Sequence, residues 1–69
     1  MTSRELRNVQ TERVLGLVLY ANGRLSFEGG ADAIFRRMVS MHGERVVGEE
    51  LMANGWSNGY LYLAPARSS

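Results

Sequence analysis

Apolar and polar positions along the 69-residue chain change rhythm several times, and the rhythm predicts the elements. Residues 1–12 are polar, with Leu6 and Val9 the only large apolar residues after Met1. They read either as a loose arm or as a short helix carrying Leu6 and Val9 on one side. Residues 13–20 (RVLGLVLY) are rich in Val, Leu and Tyr and predict a strand. Residues 24–28 (RLSFE) alternate polar with apolar and predict a second strand with one wet face. Ala21-Asn22-Gly23 between them is a hairpin signal.

Two registers compete at that hairpin. A two-residue turn at Asn22-Gly23 pairs Tyr20 with Leu25 and Val18 with Phe27. It leaves Leu15, Leu17 and Leu19 on one face with Arg24, Ser26 and Glu28. A three-residue loop pairs Leu19 with Leu25 and Leu17 with Phe27, which gathers Leu15, Leu17, Leu19, Leu25 and Phe27 on one face. A one-residue slip turns every side chain over, so apolar patterning favours the three-residue loop.

After Gly29-Gly30, Ala31, Ile34, Phe35, Met38 and Met41 recur at spacings of three and four. This predicts an amphipathic helix over 31–42 that stops at Gly43. Asp32 in its first turn and His42 in its last suit the helix dipole. Residues 44–54 predict a second helix, with Val47, Leu51 and either Val46 or Met52 buried. Gly48 inside it implies either close packing against a neighbour or fraying. Residues 55–59 (GWSNG) form a turn, and residues 60–63 (YLYL) a short strand directing Leu61 and Leu63 inward. Pro65 ends it. The expected architecture is one α+β domain over 13–64 in ββααβ order, with an arm at 1–12 and a tail at 65–69. It comprises a three-stranded, mainly antiparallel sheet, the 13–20 strand in its centre and a two-helix layer on one face.

Composition narrows the chemistry. Without cysteine, disulfides and thiolate metal sites are excluded, and the single histidine, His42, cannot form a metal cage. Neither a metal nor a cofactor is expected. The formal net charge of +1, from eight arginines and seven acids, advertises neither nucleic acid nor a membrane surface. No signal-peptide pattern or membrane-length apolar run is visible, so the expected location is cytoplasmic. Catalysis needs a tuned nucleophile, base or metal. Ser40 and His42 point to different sides of a helix, as do Glu49 and Glu50. Gly29-Gly30 lacks both the dinucleotide fingerprint and the Lys-Ser/Thr of a phosphate loop. The acidic residues Glu44, Glu49 and Glu50 argue against the second helix as a DNA reader. No catalytic residue is assigned.

The back of the sheet is the candidate binding surface. In the favoured register Val14, Val18 and Tyr20 point away from the helices, joined by Tyr60 and Tyr62. Such a face is too apolar for ideal solvent surface, and tyrosine is favoured at interfaces. The N-terminal arm could instead cover it through Leu6 and Val9. Trp56 either closes the end of the core or serves as a recognition anchor. A chain this short gains from burying surface between copies, so self-association or a protein partner is expected. The rival reading is single-stranded nucleic acid stacked on Tyr20, Tyr60 and Tyr62, with Arg24, Arg36 and Arg37 supplying positive charge.

The absence of lysine and the run Gly55-Trp56-Ser57-Asn58-Gly59-Tyr60-Leu61 resemble small uncharacterised proteins of high-GC actinobacteria and their phages. The resemblance covers about the last two-thirds of the chain and implies no activity and no site residues. The expected function is a non-catalytic interaction or regulatory module.

Overall fold

The computed structural model describes residues 1–68, with side-chain surroundings described for residues 1–66. The elements in chain order are β1 (Thr2–Asn8), β2 (Val14–Ala21), β3 (Arg24–Gly29), α1 (Ala31–His42), α2 (Glu44–Asn54), β4 (Leu61–Leu63) and β5 (Arg67–Ser68). The fold is α+β, with an antiparallel sheet and two helices on one of its faces. The sheet runs β3-β2-β1-β4, and the two-residue β5 pairs with β1 beside β4. It therefore has four strands along its path rather than three, and the order is βββααββ rather than ββααβ.

The added strand is the segment read as an arm or a short helix. Thr2–Asn8 lies inside the sheet, between β2 and β4. Its inward positions are Thr2, Arg4 and Leu6, opposite Tyr20, Val18 and Gly16. Only Leu6 among them is apolar, and it is fully buried. Arg4 reaches across the core edge instead. Its Nη1 donates to the Ala64 carbonyl and its Nη2 to the Met52 carbonyl, both at 2.8 Å. The cation thus sits at the carboxyl end of α2, where the helix dipole favours it. Alternation between polar residues hid this strand, and an arginine occupies an inward position that patterning assigns to solvent.

The β1–β2 connection is set by Asn8. Its Oδ1 accepts from the amides of Gln10 at 2.8 Å and Thr11 at 3.0 Å, and Glu12 adopts a positive φ of 62°. Asn58 repeats the device before β4, accepting from the amides of Tyr60 and Leu61. Asparagine side chains commonly nucleate turns in this way. The two turns are joined by the Val9 amide donating to the Tyr60 carbonyl at 2.9 Å.

The β2–β3 hairpin takes the register that patterning disfavoured. Ala21 pairs with Arg24, Tyr20 with Leu25 and Val18 with Phe27. Asn22 (φ 54°) and Gly23 (φ 75°) are both left-handed, as a two-residue primed turn requires. Val18 and Tyr20 therefore face the helices, and Leu17 and Leu19 face away. Leu15 is an extra residue in β2, because Leu6 pairs with Gly16 and Arg7 with Val14.

The inner face is shaped by small residues as much as by large ones. The chain leaving β3 for α1 passes directly over Gly16. A Cβ there would lie 2.5 Å from the Glu28 carbonyl oxygen and 2.8 Å from the Ala31 nitrogen. Gly48 of α2 receives the Tyr20 ring, where a Cβ would approach Cε1 to 2.2 Å. Of the two roles open to Gly48, close packing is the one it has. The core comprises Leu6, Val18, Ala31, Phe35, Val47, Leu51 and Leu63, with Leu25, Phe27, Ile34, Met38, Met52, Trp56 and Leu61 packed around it.

Both helices lie where their periodicity places them, and Leu63 is buried with Leu61 packed on the core. Met41, assigned to the buried stripe, lies in the last turn of α1 and is 67% exposed. Val46 is 61% exposed, and Met52 takes the remaining buried position on α2.

Candidate functional site

The sheet has one face under the helices and one open face. The ladder registers define the open face row by row. At one end Arg24 of β3 stands beside Ala21 of β2. Next come Ser26, Leu19 and Ser3, then Glu28, Leu17 and Glu5. Last come Val14, Arg7 and Tyr62, with Leu15 beside Val14 at the bulge. The result is an apolar ridge along β2 with polar strands on both sides. Val14 and Leu15 are exposed, and Leu17 and Leu19 are half-buried by their neighbours.

The two flanks differ in electrostatics. On the β1 side the charges are satisfied within the chain. Arg7 Nε donates to Glu5 Oε1 at 3.1 Å, and Arg7 Nη1 lies 3.6 Å from Glu12 Oε1. The Tyr62 hydroxyl donates to Glu12 Oε1 at 2.6 Å. That hydrogen bond holds the Tyr62 phenol above its ordinary range, with desolvation and the Glu12 charge adding and Arg7 opposing. Glu5, chiefly through its hydrogen bond, raises Arg7 further above the usual arginine value. On the β3 side, Arg24 and Glu28 form no ion pair among the described residues.

The residues expected on the back of the sheet are therefore separated. Val18 is fully buried in the core, and Tyr20 is clamped against Gly48 under α2. Both assignments depended on the three-residue loop and fall with it. Val14 and Tyr62 do lie on the open face. Tyr60 precedes β4, at the tip of the Asn58 turn, and is 79% exposed. Trp56 packs edge-on to Phe35, with ring centroids 5.0 Å apart, and closes the end of the core. Leu6 belongs to the core, so the N-terminal segment does not fold over the open face through it.

The tyrosines consequently form no common stacking platform. The arginines of the nucleic-acid reading are also dispersed. Arg24 is on the open sheet face, whereas Arg36 and Arg37 are on the exposed side of α1, and Arg36 pairs with Asp32. Sequence reasoning missed Leu15, Leu17 and Leu19 as surface residues. The signal that could have found them was Asn22-Gly23 itself, a strong two-residue turn pair.

Among the described residues no cleft or enclosed pocket is present, and no three His, Cys, Asp or Glu side chains converge as metal ligands. No described helix is long and apolar enough to cross a membrane. Comparison with protein-family models, curated proteins and solved structures finds no match for this chain.

Proposed function

We propose that this domain is a non-catalytic interaction module that binds protein through the open face of its sheet. The observation that carries the reading is the ridge of Val14, Leu15, Leu17 and Leu19 on the face without helices. Contiguous apolar surface rimmed by polar residues is the usual composition of a protein contact. The other exposed apolar residues of the helical layer, Met41 and Val46, stand apart from this ridge on the α1–α2 side. The arginines of the face, Arg7 and Arg24, are offset by Glu5, Glu28 and the neighbouring Glu12, so no positive excess holds a polyanion there and a protein partner is the better fit.

The test is capture from a native extract by the immobilised domain. Wild type and a Met41→Asp/Val46→Asp variant should retain the same protein, whether another chain or a further copy of this one. A Leu17→Asp/Leu19→Asp variant with unchanged circular dichroism should lose it. Retention by the sheet variant together with loss by the helix variant would move the binding surface to the helices and overturn the reading.

A further inference from the structure

Resting on that reading of the open face, we infer that its partner is a second copy of the chain, packed face to face about a two-fold axis that crosses the strands at Leu19. A two-fold contact places one patch against itself, so each residue on the axis must tolerate its own image. The row Ser26–Leu19–Ser3 meets that condition, because it is neutral and its flanking side chains are small. The next row, Glu28–Leu17–Glu5, does not. An axis there would set each glutamate against its own image, and like charges at close range repel.

With the axis at Leu19, the rows on either side exchange. Arg24 of one copy stands over Glu28 of the other, and Glu28 over Arg24, so one symmetric contact makes two ion pairs. These are the charged residues of the face that form no ion pair within the chain among the described residues. Leu19 meets Leu19 on the axis, and Leu17 meets Ala21. Val14 and Leu15 fall outside the overlap and stay exposed. Arg7, Glu12 and Tyr62 also fall outside it, and their mutual contacts stand undisturbed. The strands of the two sheets run antiparallel across the contact, within the range of aligned sheet packing.

The size of the overlap sets the strength. Three rows on β2 and β3 and two on β1 cover at most roughly 14 by 20 Å, or about 280 Å² of each copy, at ordinary sheet spacings. That is below the size of standard specific interfaces, so the dimer is a weak, transient one that exchanges with monomer and fills only at high concentration.

Sedimentation equilibrium from micromolar concentrations to about 1 mM, a range that reports weak association, tests the inference. Wild type should shift from monomer to dimer across it. Arg24→Glu and Glu28→Arg should each weaken the association several-fold, and the double exchange should restore it, because the ion pairs re-form with reversed sign. Leu19→Glu should abolish it, with circular dichroism reporting an intact fold. A wild type that stays monomeric throughout would overturn the dimer. So would single exchanges without effect, or a double exchange no better than the singles. If the chain is monomeric and still captures another protein in a Leu17- and Leu19-dependent way, the dimer fails and the interaction reading stands. Loss of both would remove both.

Discussion

The two faces of the sheet are built on opposite plans from the same strands. Under the helices, β2 presents Gly16, Val18 and Tyr20, each fitted to a particular neighbour: a backbone crossing, the core and a helical glycine. On the other side it presents Leu15, Leu17 and Leu19, which are larger on average and have no layer above them. The more uniformly apolar side of the strand is thus the open one. Burial here follows shape, since a layer packed at protein density must match volume position by position. Raw hydrophobicity along the strand is a poor guide to which face the helices cover.

Adjacent residues break or sharpen this contrast most directly. Val18→Asp places a carboxylate in the sealed core and should destabilise by several kcal/mol, enough to unfold a domain of this size. Leu19→Asp, one residue away and flanked only by Ser3 and Ser26, should stay within about 1 kcal/mol at low protein concentration. Urea unfolding of the two variants measures the difference, and equal losses would mean that the open face is covered after all. Next in size is Gly48→Ala. Alanine ordinarily improves a helix by ~1 kcal/mol, but here its methyl collides with the Tyr20 ring. A net loss of about 1–3 kcal/mol is expected. In a Tyr20→Leu background the same change should become neutral or stabilising, as read from denaturation midpoints. If the cost is the same in both backgrounds, the Tyr20–Gly48 fit is not its origin.

The smallest effect concerns the rim of the open face. The Tyr62 phenol is raised, first by its hydrogen bond to Glu12, so folding favours its neutral form. The stability this contributes is complete below the pKa of the unfolded phenol. It is lost as pH rises through the higher folded value. Absorbance titration of tyrosinate in a Tyr20→Phe/Tyr60→Phe background should show a late-titrating group, and Glu12→Gln should bring its midpoint down. A midpoint unmoved by Glu12→Gln would exclude that hydrogen bond as the cause.

The helices were readable because their apolar spacing over 31–42 and the Gly43 break are local signals. Leu61 and Leu63 were readable for the same reason. β1 was not, because its inward row is Thr2, Arg4 and Leu6, and the inward placement of the half-buried Arg4 depends on carbonyls at Met52 and Ala64, 48 and 60 residues away. The hairpin register departs from the apolar pattern because the leucines of β2 do not gather on the face that the helices cover. The Asn22-Gly23 turn and the glycines at 16 and 48 favour the other register, and the role of each glycine appears only once its neighbour is in place. Of the residues expected on the open face, Val14 and Tyr62 lie there. Val18 and Tyr20 changed sides with the register, and Leu17 and Leu19 took their place.

The pairing of β1 has a consequence for when the domain can form. One edge of β1 is satisfied by β2 a few residues later, but the other waits for β4 and β5, with Leu6 opposite Leu63 and Thr2 opposite Ser68. During synthesis β1 stays half-paired until residues 61–68 emerge, and Leu6, fully buried in the finished fold, lacks its Leu63 neighbour throughout that interval. Such long-range pairing slows folding, because the loop must close before the contacts repay it. The sheet therefore closes in a late step, after the helices have been made, and the ends of the described chain finish side by side.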